Sequence, residues 1–314
     1  MKYTFCYYRG CYVYSTKEYV NSFRANFFNV FYDVKKRKKM LEEIEKIIDF
    51  NSSVDLYAYA QLLFDDRSKD SISKCYNILD IISSWNYIPA KYLLGQLYFY
   101  GLGVKTDLKK FYSLSLEAAN EDFVPGKNAV ALALLNGYGC KVDCAKGRKI
   151  LDECAAANYG TSLFNIGVGY YHGSYGYPKD MYKAFEYTKK ASAQFHKGAS
   201  FNLGLMYLIG EGCTKDVEKG LNELVNAAYL GHLKAQKKAA DSYYFGKITK
   251  RKPELAYELY MMAAEQGDAY SMYSVGYMIL NNEKPFVDRY VGIDWVRKAA
   301  NKGWQAAIDL LKDL

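Results

Sequence analysis

Residues 199–231 read ASFNLGLMYLIGEGCTKDVEKGLNELVNAAYLG. Ala199, Leu203, Gly204 and Tyr207 fall at helical spacing and share one face. Ala199 and Gly204 are small enough for a second helix to come close, and Tyr207 adds bulk. Gly210 and Gly212 end this helix, because glycine takes the positive φ values that close a helix and shape a tight turn. Asp216 stands where the next helix begins. Its carboxylate suits the orphan N–H groups and the positive end of a helix. Leu221, Leu224 and the pair Ala227–Ala228 form the second helix's buried face, and Gly231 ends it. A helical hairpin of this size has an apolar face that it cannot cover alone, so it calls for neighbours of the same kind.

Those neighbours recur along the chain. The opening small residue is Ala90, Gly126, Ser162, Ala199, Ala235 and Ser271, in steps of 36, 36, 37, 36 and 36 residues. The helix-crossing position is Gly95, Ala131, Gly167, Gly204, Ala240 and Gly276. The turn glycine is Gly101, Gly137, Gly173, Gly210 and Gly246, with Asn282 in its place in the last unit. The capping aspartate is Asp107, Asp143, Asp180, Asp216 and Asp288, and Lys252 interrupts the series. A fainter unit over Val54–Pro89 keeps the apolar spacing without the glycines. The spacing therefore predicts an all-α stack of helix–turn–helix repeats. Its divisions are 1–34 as an aromatic cap segment, 35–89 as a capping helix with a degenerate first repeat, 90–303 as six repeats, and 304–314 as a closing helix. Within 1–34, Tyr3–Tyr14 alternates around Arg9–Gly10 as a β-hairpin would, and Thr16–Val34 reads as an aromatic helix. Lys35–Lys39 is a basic run leading into an amphipathic helix over Met40–Phe50.

Half of the 314 residues are apolar, and the formal net charge is +8. Stacked repeats share one continuous core, so this length does not imply two ordinary domains. No apolar run is long enough to cross a membrane. Arg9, Gly10 and the tyrosines interrupt the apolar segment that a classical export signal needs, so the expected location is cytoplasmic; delivery into a host cell by another route is compatible with this. The seven cysteines are odd in number and sporadic in the register, which argues for small apolar fillers over disulfides. Cys140-x-x-x-Cys144 has no second ligand pair, so no metal or other cofactor is expected. His172, His196 and His232 are read as three different repeat positions, and none sits in a nucleophile–base pattern. The turn glycines follow helices, unlike a phosphate-binding loop, which follows a strand.

The order A-x-x-x-L-G-x-x-Y-x-x-G-x-G-V, then D-x-x-K-A, then K-A-A and a late glycine resembles the Sel-one-like repeat, a relative of the tetratricopeptide repeat. Ala90–Val104 with Asp107 and Lys110 carries the resemblance, as does Ala199–Gly231, and the likeness extends over roughly residues 54–314. It implies a right-handed α-solenoid that acts as a scaffold or adaptor and not as an enzyme. Proteins of that kind take regulatory or host-directed roles. Hydrolase activity, sometimes ascribed to the family, is the alternative from another class, and no nucleophile–base pair supports it here. A third reading is a binder of nucleic acid or acidic lipid through Lys35–Lys39 and Lys247–Lys252. It would show steep salt dependence; the net charge of +8 only weakly favours an anionic partner, and nucleic acid is not the expected one.

Partners of such solenoids usually lie on the concave side, which the first helices line. The exposed stripe there is expected at positions spaced i, i+4, i+7. These are Tyr92, Gln96, Phe99; Phe164, Val168, Tyr171; Phe201, Leu205, Leu208; Lys237, Asp241, Tyr244; and Tyr273, Tyr277, Leu280. One reading packs these rings between neighbouring repeats. The other makes them anchors for a protein or peptide. Beside the stripe, Asn202 with Lys234 and Lys238 of the next unit resembles part of the carboxylate clamp of some tetratricopeptide domains, which holds an acidic or C-terminal peptide end. Phe164 and Val168 stand where that clamp has Lys and Asn.

Overall fold

The computed structural model describes residues 4–8, 11–15, 34–66, 68–283 and 287–314. Two short strands, β1 (Thr4–Tyr8) and β2 (Cys11–Ser15), pair antiparallel with Thr4 opposite Ser15, as the alternating pattern predicts. The aromatic helix expected over Thr16–Val34 lies outside the described residues, apart from Val34.

Every other described element is an α-helix. They are α1 (Val34–Ile47), α2 (Ser53–Asp66), α3 (Lys69–Ser84), α4 (Ile88–Tyr100), α5 (Leu108–Asn120), α6 (Val124–Asn136), α7 (Cys144–Ala156), α8 (Gly160–His172) and α9 (Met181–Ala193). Then come α10 (Lys197–Ile209), α11 (Val217–Tyr229), α12 (Leu233–Phe245), α13 (Pro253–Glu265), α14 (Ala269–Leu280), α15 (Arg289–Asn301) and α16 (Gln305–Leu310). The basic run Lys35–Lys39 is thus inside α1 and does not merely precede a helix that starts at Met40. Leu41 and Ile44 on α1 are buried.

The helices form two compact units, residues 1–194 and 195–314. In the first, α2 packs on α3, α4 on α5, α6 on α7 and α8 on α9. In the second, α10 packs on α11, α12 on α13 and α14 on α15, with α16 against α15. Within each unit the second helix of one pair also packs on the first helix of the next.

The recurring residues explain this regularity. All six opening small positions are buried. The five turn glycines take left-handed φ, and Asn282 replaces the sixth at φ 60°, a conformation asparagine tolerates. Asp107, Asp143, Asp180 and Asp216 each accept the backbone N–H three residues on, at 2.9–3.0 Å. Lys252 makes no such bond, as expected. Asp288 makes none either, against expectation. Its φ of −59° differs from the −140° to −152° of the four working caps.

The crossing point holds a feature that the register had shown from one side only. The second helices carry their own glycines. A Cβ on Gly204 would lie 2.9 Å from the carbonyl oxygen of Gly220, and one on Gly220 would lie 2.9 Å from that of Gly204. Gly276 and Gly292 repeat the arrangement, at 2.7 and 3.2 Å. Backbone meets backbone there, which no side chain allows.

Candidate partner-binding surfaces

The aromatic stripe is mostly engaged within the repeats. In three repeats its first position packs on the N-cap residue of the next first helix. Tyr92 meets Phe123 edge-on at 5.8 Å, and Phe201 stacks on His232 with ring centroids 4.4 Å apart and planes at 20°. Lys237 uses the same geometry for an ion pair with Asp268 at 2.9 Å. At the middle position, Asp241 accepts hydroxyl hydrogen bonds from Tyr260 at 2.5 Å and Tyr270 at 2.8 Å. At the third position, Phe99 packs against Phe111 (4.8 Å) and Tyr138 (5.1 Å). Tyr244 donates to Glu283 at 3.3 Å beneath the Arg251 guanidinium.

Phe164 and Tyr171 are half-buried, the latter edge-on to His172. Tyr273 leans on Tyr277 at 5.7 Å, and Tyr277, at 38 % exposure, is the most open ring of the stripe. The expectation of an exposed stripe is therefore corrected. Phe123 and His232, the following N-caps, lie against Tyr92 and Phe201 one repeat earlier, so part of the stripe is inter-repeat packing.

Three residues remain unengaged. Lys234 and Lys238 are exposed, four residues apart on α12, and neither has a carboxylate partner among the described residues. Asn202 is half-buried on α10, with no side-chain hydrogen bond among the described residues. The Phe201–His232 stack ties α10 to the start of α12, one residue from Asn202 and two from Lys234. The equivalent Asn165 in the first unit is already used, donating to Asn128 Oδ1 at 3.4 Å.

Two histidines report on the field at this place. His196 and His232 occupy one repeat position, not two. Each is the N-cap of its first helix, and its Nδ1 accepts a backbone N–H, from Ala199 at 3.1 Å and from Ala235 at 3.2 Å. Their separation in the sequence, equal to the commonest repeat step, was the available signal. Burial, then the charge of Lys197 and the neighbouring His232, pushes His196 down to about 4. Burial, then Lys197 and Lys234, pushes His232 down to about 4. Both rings are neutral near pH 7, at a place made positive by lysines.

The cysteines behave as fillers where they are deepest. Cys75 and Cys154 are buried, with Cys75 Sγ 3.2 Å from the Ala60 carbonyl oxygen. Burial raises the thiol pKa of Cys154 to about 11, which keeps it protonated. Among the described residues, no group of three or more His, Cys, Asp or Glu side chains is placed to hold a metal ion.

A family model described as the Sel1 repeat matches residues 88–121, 126–159, 160–194, 198–232, 233–268 and 269–304. The chain belongs to the Sel1 repeat family. The six matched Sel1 repeats are the six helix pairs from α4–α5 to α14–α15. Over 191 residues the chain is 32 % identical to cytochrome c oxidase assembly factor 7A of Xenopus laevis, covering 58 % of this chain and 80 % of that protein. It is 24 % identical to the Saccharomyces cerevisiae chitin synthase regulator SKT5 over 76 % of this chain and 36 % of that one.

Solved structures agree on the fold. The uropathogenic Escherichia coli antigen c5321, which displays a Sel1-like repeat fold, matches with a TM-score of 0.56 at 23 % identity, over 85 % of this chain and 57 % of that one. A Sel1 repeat protein from Oxalobacter formigenes matches with 0.56 at 22 % identity, over 74 % and 94 %. The fold is thus a tetratricopeptide-like α-solenoid of Sel1 repeats. No helix among the described residues is long and apolar enough to cross a membrane.

Proposed function

We propose that this chain is a non-enzymatic adaptor that binds a protein or peptide on the first-helix side of its Sel1 repeats. Asn202, Lys234 and Lys238 take an acidic side chain or a C-terminal carboxylate, and Tyr273 and Tyr277 offer apolar anchorage nearby in the same unit. The observation that carries this reading is the pair Lys234 and Lys238, exposed and without carboxylate partners beside two histidines held neutral. Lys237, on the same helix, is by contrast spent on an internal pair with Asp268. Charge of this kind sets specificity and encounter rate, while buried rings supply most of the affinity.

The names of two relatives, an assembly factor and a regulator, support an adaptor role over catalysis. In this reading α1 to α3 form a capping helix and a degenerate first repeat, and α16 closes the last repeat; most of the expected cap segment 1–34 lies outside the described residues. The working location in this reading is cytoplasmic.

The test is affinity capture with mass spectrometry, comparing the intact chain with a Lys234→Ala, Lys238→Ala variant. The reading expects at least one partner that is retained by the first and lost by the second. Identical partner sets refute the clamp. Turnover of a substrate by the purified chain would refute the non-enzymatic assignment.

A further inference from the structure

The repeat with the 37-residue step carries one extra residue in its turn, and the structure puts that insertion to use. The turn between α8 and α9 sends Tyr177 back into the first unit, where it is 4 % exposed and packs with Ala131, Leu135, Leu151 and Ile166. Gly169 makes room for it. A Cβ at that position would lie 2.7 Å from the Tyr177 ring. Three of the equivalent residues, Leu97, Met206 and Met278, are bulky and buried, while Ala133 and Ser242 are small but still carry a Cβ. Beside the inserted ring lies a half-open cleft of about 660 Å³, walled by α7, α8 and α9. That volume is within the range of ligand pockets.

Its chemistry has a definite sign. Tyr170 and Tyr187 stack at 5.6 Å with planes at 23°, which forms a flat apolar wall. Neither hydroxyl has a hydrogen-bond partner among the described residues, whereas the Tyr177 hydroxyl donates to Asp152 at 2.6 Å. Each ring already carries an internal cation. Arg148 lies 4.7 Å from the centre of Tyr177, Lys183 5.3 Å from Tyr170, and Lys190 5.4 Å from Tyr187. The cleft is therefore no cage for a cationic ligand, since Arg148 and Lys190 already stand in its lining. Asp152 is committed to Tyr177 and faces Arg148 at 3.8 Å. Lys190 is exposed and has no carboxylate partner among the described residues. What the cleft offers a visitor is the Tyr170–Tyr187 pair, two phenol hydroxyls without hydrogen-bond partners among the described residues, and Lys190, which has no carboxylate partner among them.

We propose that this cleft is a second docking site, for an acidic peptide segment in which a bulky apolar side chain neighbours a carboxylate. The apolar side chain lies on the Tyr170–Tyr187 wall, and the carboxylate accepts from the phenols and Lys190. The site rests on the reading of the chain as a peptide-binding adaptor and lies wholly in the first unit, apart from the Asn202–Lys234–Lys238 surface.

The test is a display selection of random twelve-residue peptides on the full chain. Selected peptides are then titrated by fluorescence anisotropy against the wild type, Lys190→Glu, Tyr187→Ala, and the Lys234→Ala, Lys238→Ala double variant. Lys190 is exposed, so its substitution leaves folding intact even where Tyr187→Ala does not. The expected result is a class of peptides with a Phe, Leu or Trp beside Asp or Glu. Their affinity falls at least about tenfold with Lys190→Glu and is unchanged in the double variant. Selected peptides that lose affinity only in the double variant overturn the cleft and leave the adaptor reading standing. A selection that returns no peptide sensitive to Lys190→Glu overturns the cleft as well, and the capture experiment then decides the adaptor reading by itself.

Discussion

Asp241 holds two tyrosine hydroxyls at once, and one of them belongs to Tyr260, the largest fully buried side chain among the described residues. Asp241→Ala leaves that phenol buried without its charged acceptor. The expected loss of unfolding free energy is about 2–3 kcal/mol, the cost of orphaning a buried group hydrogen-bonded to a charge, read from urea denaturation. The histidine caps set a pH dependence. His196 and His232 accept N–H bonds through nitrogens that must be unprotonated, and both pKa values are lowered to about 4 in the fold. Above about pH 6.5, the ordinary histidine value, folded and unfolded chains are both neutral there and the caps contribute fully. As pH falls from about 6.5 to about 4, the unfolded chain takes up protons that the folded chain refuses, so stability falls. Melting temperature should therefore drop through this window, and His196→Asn with His232→Asn should remove that part of the slope. An unchanged slope in the double variant would contradict the assignment.

At the scale of the helices, the crossing points make opposite predictions for the same substitution. A methyl at Gly276 would lie 2.6 Å from Val296 Cγ2 and 2.7 Å from the Gly292 carbonyl oxygen. Gly276→Ala should destabilise by about 1–3 kcal/mol, since backbone cannot yield as a side chain does. At Gly95 the nearest atoms would be 3.5 Å away, so Gly95→Ala should stabilise by about 0.5–1 kcal/mol through helix propensity. Capping allows a gain as well. Lys252 has φ −137° and ψ 82°, close to the −146° and 99° of the working cap Asp216. Lys252→Asp should add about 1 kcal/mol of stability in a denaturant melt. Much of this level was legible from the register. The turn glycines and four of the five aspartate caps fall where their spacing placed them. Asp288 did not, because an aspartate at the right spacing does not by itself make the cap hydrogen bond. The glycines facing the crossing from the second helices were visible in the sequence, but their role emerges only when the two backbones are seen to touch.

Across the whole molecule, recurring residues account for the fold, and those that vary between repeats are left for binding. The surface stripe was harder to read than the core. A ring at Phe201 has the same spacing whether it faces a partner or the next cap, and only the position of His232 decides it. Periodicity gives the face of a helix and not what the following repeat lays over it. The same limit hid the Tyr177 insertion, whose one extra residue was visible in the step length while its return into the core was not. Unpaired charge is what stays available, and that is why the account settles on Lys234 and Lys238 in one unit and Lys190 in the other. The central claim, that the chain is an adaptor recognising acidic segments, is tested most directly by calorimetric titration of a captured partner into the wild type and the Lys234→Ala, Lys238→Ala variant at matched melting temperatures. The account predicts at least a tenfold weaker Kd for the variant, or about 1.4 kcal/mol. An equal Kd for the two proteins would contradict it.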